Sequence, residues 1–419
     1  MADYSRRFSS ALDGLKETPF VSCAVQAGIN TLDRIAPVRD GLFLFGSNAG
    51  YFYGDNTRYL YEWVLENEPA IEPVWMTKSQ QVHDRLTSEG KPVEMITSRS
   101  GVSNLLKAET AFFTHSTADI APDSTLVPAS LRLVNLRHGE SVKNTHLCPA
   151  NSELVSESKI AQSKRWRRQN VVIASTSVFV SEIQQRCLGV SEDQSVITGY
   201  PRHDPLWTNN YGSSSTIAHE HVSLESESVE RIVLYAPTWR QYAPAHDGNC
   251  HTEFFPFEDF DSEELATMLD ERDTALLLRP HPHDLEYEAV QRRIGRIEKE
   301  CPNVQVVGPE DLNDVYEIIT AVDALITDYS SLYHDYLILD RPIVLIPYDY
   351  ETFKQEVGFV YDYRKMAPGP SPTTWTEFKR ALENALTGDD AYETERSVLR
   401  DILYEHQNGR ACQRLIDRI

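Results

Sequence analysis

Four short segments of this chain place charged and hydroxyl side chains directly after apolar runs. ALITDYSS (324–331) ends a buried strand at Thr327 and Asp328, then offers Ser330 and Ser331 where a helix should begin. Serine is a favoured helix N-cap, and the unpaired N–H groups of a helix start attract anions, so the segment suits a phosphate as well as plain capping. LLRPHPHD (277–284) delivers Arg279 and His281 to a strand end, separated by a proline that stiffens the turn. Arginine clamps phosphate, and histidine donates a hydrogen bond or moves a proton near neutral pH. YAPTWR (235–240) brings Thr238 and Arg240 to a third strand end, where packing of Trp239 is an equal reading. LRHGESVKN (136–144) adds His138 and Lys143 around Gly139, which lets the chain turn tightly or a ligand come close. Asp335 and His334, one turn beyond the serines, are helix-surface positions by default.

These segments need elements that hold them. In the first half, apolar runs at 41–47, 73–77, 92–97, 111–116, 131–139, 171–176 and 195–201 read as strands, with helical periodicity over 56–66. Residues 208–230 are polar, rich in Ser and Glu and without apolar periodicity, which marks a linker. The alternation resumes with strands at 231–237, 275–280, 304–308, 324–328 and 342–347, and helices over 262–271 and 314–321. Strands alternating with helices predict parallel sheets covered on both faces, with ligands at the carboxyl ends of the strands. The economical architecture is α/β with two Rossmann-like domains facing a cleft: 1–207, the linker 208–230, and 231–395. The tail from Arg396 reads as an amphipathic helix over 396–419 that packs back on the first domain.

Composition narrows the classes. The 419 residues carry 63 acidic and 40 basic side chains, a net charge of −23, which argues against nucleic acid as a partner. Six scattered cysteines form no CxxC pair and suggest neither a zinc site nor a disulfide framework. The chain lacks the GxGxxG, GxxxxGK[ST], GxSxG and HExxH signatures, and HEHV (219–222) lies in the linker. No cofactor or metal site is expected, and the need for a divalent ion is left open. The N-terminus has no apolar core of a signal peptide and no run is long enough to span a bilayer, so a cytoplasmic protein is expected, peripheral on the inner face of the membrane. One basic cluster stands out: Lys159, Lys164, Arg165, Arg167 and Arg168 around Trp166, which suits docking to anionic lipid or a solvated helix face.

The order HGESVK, TGYPRHDPL (198–206), YAPTWR, RPHP and ITDYSSLYHDY resembles the CDP-glycerol glycerophosphotransferase family, the teichoic acid primases and polymerases. The likeness continues through RPIVLIPYDYETF (341–353) and VGFVYDY (357–363), and more faintly into GDNTRYLYEWV (54–64). It implies a GT-B fold with the donor nucleotide bound mainly by the second domain. It also implies transfer of glycerol phosphate from CDP-glycerol to a hydroxyl of a membrane-linked glycan or polyol phosphate chain, with release of CMP. His138 and His281 then occupy the two histidine positions held essential, and Ser330 and Ser331 the donor contacts. The full set of candidate substrate contacts is Gly139, Lys143, Arg202, Thr238, Arg240, Arg279, Thr327, Asp328, Ser330, Ser331 and Asp335. Glu140 stands where the family commonly has Thr, and His203 where Asn is common. In this reading His138 is the base for the acceptor hydroxyl, while His281, Arg279 and the serines stabilise the phosphates. A CDP-ribitol transferase of the same mechanism, a GT-B glycosyltransferase or epimerase, and a non-enzymatic binding protein remain alternatives.

Overall fold

The computed structural model describes residues 37–148, 155–208, 229–240, 251–308, 311–312 and 314–419. All but Thr208, Val229 and Glu230 of the expected linker lies outside these residues. The chain divides into two compact units: Met1–His138 with Trp166–Ala174, and Gly139–Arg165 with Ser175–Ile419.

In the first unit the strands are β1 (Arg39–Phe45), β2 (Glu72–Thr77), β3 (Val93–Met95), β4 (Ala108–Phe113), β5 (Arg132–Asn135) and β6 (Val172–Ser175). They run parallel in the order β3-β2-β1-β4-β5-β6. Leu44, Phe45, Trp75, Met76, Ala111, Phe112 and Val134 are buried on both faces of this sheet, which explains continuous apolar runs where alternation would otherwise appear. Phe45 and Phe112 stack across neighbouring strands with ring centroids 4.9 Å apart. The helix Asp55–Asn67 covers one face through Leu60, Tyr61 and Val64, spaced at the helical period.

The second unit contains β7 (Ser195–Ile197) and a five-stranded parallel sheet. Its strands are β8 (Arg231–Tyr235), β9 (Thr274–Leu278), β10 (Val304–Val306), β11 (Ala324–Thr327) and β12 (Ile343–Leu345), in the order β10-β9-β8-β11-β12. The chain therefore builds outward from β8 to β10, then returns to the other side of β8. That reversal between β8 and β11 is the place where open α/β sheets bind ligands. The helix Trp375–Thr387 seals one face: Thr374 caps its N-terminus, Gly388 ends it in the left-handed conformation, and Trp375, Phe378 and Leu382 enter the core.

Two expectations change. Residues 314–321 form two short 3-10 turns, Val315–Glu317 and Ile319–Ala321, in place of one helix. The consecutive Ile318, Ile319 and Thr320 are β-branched, which lowers helix propensity. The tail is two helices, Glu393–Leu403 and Ala411–Arg418, and Asp204 accepts the first N–H groups of the second, from Ala411 and Cys412.

Candidate active site

At the β8–β11 reversal the strand ends are tied together by side chains that the sequence marks as ligand candidates. Thr327 donates its hydroxyl to the Ala236 carbonyl, 2.7 Å away. Asp328 accepts the backbone N–H groups of Thr238 (2.8 Å) and Tyr329 (2.6 Å) on one oxygen and Arg240 (2.7 Å) on the other. Arg240 is 1 % exposed and forms a second, bidentate pair with Asp349 at 2.7 and 2.9 Å. Burial opposes its charge, yet Asp328, Tyr348 and Asp349 outweigh that and hold the guanidinium firmly protonated. Arg240, Thr327 and Asp328 are thus internal ties that shape the loop, and the expectation of a phosphate on Arg240 is corrected. Their work leaves the Thr238 hydroxyl buried with no hydrogen-bond partner among the described residues.

Three groups remain near Thr238. Lys143 lies beside Asp328 and Arg240; burial pulls its amine below the ordinary range, while Asp328 resists and Arg240 reinforces the pull. Arg279 reaches sideways, donating from Nη1 to the Val307 and Gly308 carbonyls at 3.0 and 2.5 Å. Its positive charge stays at the end of β9 although its fork is partly committed. His281 stacks on Trp239 (5.4 Å, 13°), and its Nδ1 accepts the His283 backbone N–H at 3.2 Å. The proton of the neutral ring must then sit on Nε2. Burial first, then the charges of His283, Lys143 and Arg279, push this imidazole down to about 4, so it is neutral at pH 7. His281 is therefore a fixed N–H donor rather than an acid. Accordingly His281→Gln, which keeps an N–H, should retain at least ten times more activity than His281→Ala; equal losses in a turnover assay would reject the donor role.

Ser330 and Ser331 precede the short helix Leu332–Tyr336, as expected. The Ser330 hydroxyl accepts the Leu332 N–H at 3.3 Å, a local cap. Ser331 meets Gly139: a Cβ there would sit 2.9 Å from the Ser331 hydroxyl and 3.1 Å from Arg202 Nη2. With φ of +137° as well, only glycine fits, so the close approach is between two parts of the protein. Asp335 and His334 are buried, where surface positions were expected. Asp335 binds Arg202 and His203, each at 2.7 Å, and the Tyr316 hydroxyl. Burial works against this carboxylate, but Arg202 and His203 hold it well below the usual range. Asp335 and Arg202 thus anchor the loop Pro201–His203 to the helix, and both carboxylate oxygens are engaged by protein donors. Glu140 is buried and accepts the Thr176 hydroxyl at 2.8 Å.

In the first unit, β1, β4 and β5 end side by side. His138 follows β5, and its exposed ring stacks on His115, which follows β4, at 4.1 Å and 7°. His115 is fixed because Asp119 accepts its N–H and that of Thr114, both at 2.9 Å, and that of Ala49 at 2.7 Å. Sequence reasoning missed His115, Asp119 and Asp349; AFFTHS read only as a strand, although its His follows a strand end like the others. On the helix Glu157–Arg168, Trp166 is 2 % exposed and packs against Phe113, so it cannot meet lipid. Lys164, Arg167 and Arg168 are exposed and Arg165 is half-buried. Among the described residues no cluster of three metal-ligating side chains occurs, and no helix is long and apolar enough to cross a membrane. A cavity of about 300 Å³ lined by Ile343, Pro370, Asn384 and Tyr392 opens near the start of β12, the opposite edge from these groups.

Residues 29–419 match the family model described as CDP-Glycerol:Poly(glycerophosphate) glycerophosphotransferase. The chain belongs to this glycerophosphotransferase family. It is 28% identical over 387 residues to a teichoic acid glycerol-phosphate transferase of Staphylococcus aureus, covering 90% of this chain and 92% of that protein. It is also 28% identical over 230 residues to the teichoic acid ribitol-phosphate polymerase TarL of the same organism, covering 54% and 37%. A structure of the wall teichoic acid polymerase TagF superposes with a TM-score of 0.72 at 21% identity, covering 99% of this chain and 97% of that one. The shared fold is α/β with two parallel sheets, the GT-B class that the motifs implied.

Proposed function

We propose that this glycerophosphotransferase moves a glycerol phosphate unit from CDP-glycerol to a hydroxyl of a membrane-linked glycan or polyol phosphate acceptor. The observation that supports it is the neutral His281, whose Nδ1 is already occupied, beside Arg279 and Lys143 at the sheet reversal, where the Thr238 hydroxyl has no hydrogen-bond partner among the described residues. Hydrogen-bond donors and cations gathered at one sheet edge suit a diphosphate. The acceptor oxygen attacks the β-phosphorus and its proton passes to His138. The bond from that phosphorus to the bridging oxygen breaks, and CMP leaves with the electron pair. Lys143, His281 and Thr238 offset the negative charge that gathers on the leaving and non-bridging oxygens.

A panel of CDP-glycerol, CDP-ribitol and nucleotide sugars tests the donor. CMP release from CDP-glycerol at least tenfold faster than from the others supports the reading; UDP or GDP release would reject it. CDP-ribitol is the second reading, because TarL matches as well per residue as the glycerol-phosphate transferase.

The acceptor end brings the enzyme to the inner face of the cell membrane, through Lys164, Arg165, Arg167 and Arg168. Each cation near an anionic surface contributes about 1 kcal/mol. Replacing all four with Gln should lower co-sedimentation with vesicles containing anionic lipid at least tenfold at low salt. Unchanged sedimentation rejects this surface.

A further inference from the structure

The turn that follows β5 buries hydrogen-bond donors that the reaction above does not use. Asn135 is fully buried, and its Nδ2 has no hydrogen-bond partner among the described residues. Arg137 is 3 % exposed, and neither its Nε nor its Nη1 has a hydrogen-bond partner among them. The backbone here is fixed. Asn135 Oδ1 accepts the Arg137 N–H at 2.8 Å, and Asn56 Nδ2 donates to the Leu136 and Arg137 carbonyls at 3.1 and 3.0 Å. Arg137 adopts φ of +59°, a conformation that glycine would take with less strain.

None of these backbone bonds needs an arginine side chain. Burying a guanidinium without a counter-charge costs several kcal/mol, so its retention points to an anion that arrives from outside. The unmatched groups are all N–H donors, which suits an oxygen-rich ligand, and the guanidinium fork matches the geometry of a phosphate. The turn lies at the carboxyl edge of the sheet, and the next residue is His138, the base of the proposed reaction.

We propose that Arg137, assisted by the Asn135 amide, binds a phosphate group of the acceptor, so that the chain extends an end that already carries a polyol phosphate. This rests on the assignment of His138 to the acceptor. A free phosphomonoester and the donor β-phosphate offer the same chemistry, and the experiment separates them.

The full chain is titrated calorimetrically with sn-glycerol 3-phosphate under saturating CDP, whose β-phosphate fills the donor phosphate position, and separately with CDP-glycerol. Arg137→Met should lose at least tenfold in glycerol 3-phosphate affinity and stay within twofold for CDP-glycerol. Its melting temperature without ligand should equal or exceed that of the wild type, because an unpaired buried charge is removed; a structural arginine would give a fall. Arg137→Lys, which keeps the charge but not the fork, should retain an intermediate affinity and serves if the Met variant does not fold. Unchanged glycerol 3-phosphate affinity, or none in the wild type, overturns the site. A loss confined to CDP-glycerol overturns the acceptor assignment. Glycerol 3-phosphate binding that needs Arg137, in a wild type that releases no CMP from CDP-glycerol, leaves the phosphate site standing and sinks the transferase reading.

Discussion

Replacing His138 with Ala should lower glycerol phosphate transfer by about 10²–10⁴, the usual worth of a general base. The ring is exposed while Arg137 and Gly139 on either side are buried, so its removal leaves no cavity and the fold should persist. His115 loses one stacking partner but keeps its bonds to Asp119. Donor affinity should change less than threefold, because the proposed donor contacts lie in the second unit. CMP release measured beside calorimetric CDP-glycerol binding separates the two effects. Near wild-type transfer by the folded variant would end the assignment of His138 as base. A large loss of donor affinity would instead mean that His138 binds the donor.

Replacing Arg240 with Met should have the largest effect on stability. Asp328 and Asp349 share this one cation, and Asp328 is 1 % exposed. Removing one partner of a buried pair leaves a charge without compensation and costs about 3–5 kcal/mol. The expected result is an earlier urea transition for the second unit, together with weakened donor binding as the Thr238 loop loosens. Adding Asp328→Asn should recover part of the loss, since the charge is removed and the amide oxygen can still accept both backbone N–H groups, which share one oxygen. Wild-type stability of the single variant, with weakened donor binding alone, would return Arg240 to the list of phosphate contacts.

Much of the fold was legible because parallel strands buried on both faces read as uninterrupted apolar runs. All twelve expected strands are present, within a few residues at their ends. The departures each have their own physical cause. Asp314–Ala321 has an N-capping aspartate and apolar spacing, but its β-branched run favours short turns over a helix. The tail after Arg396 has helical periodicity throughout, yet Gly409 takes φ of +61° and the chain starts a second helix. Trp166 among four cations resembles an interfacial anchor in one dimension, whereas on the helix it is the inward face against Phe113.

The sequence by itself determined the two runs of alternating strands and helices, the strand ends where chemistry would gather, and the family, through the order of its motifs. Those properties depend on local pattern and on spacing along the chain. Only the tertiary structure decided which of the residues gathered at ALITDYSS and its neighbours tie loops together and which have atoms left for a ligand. Thr327, Asp328, Arg240, Arg202 and Asp335 find partners 1 to 133 positions away in sequence, and those partners use their donors and lone pairs. Thr238, Asn135 and Arg137 keep side-chain groups without a hydrogen-bond partner among the described residues, while their backbones are held by other contacts. A charged residue at a strand end is therefore a candidate from sequence alone, and burial with or without a partner assigns its role.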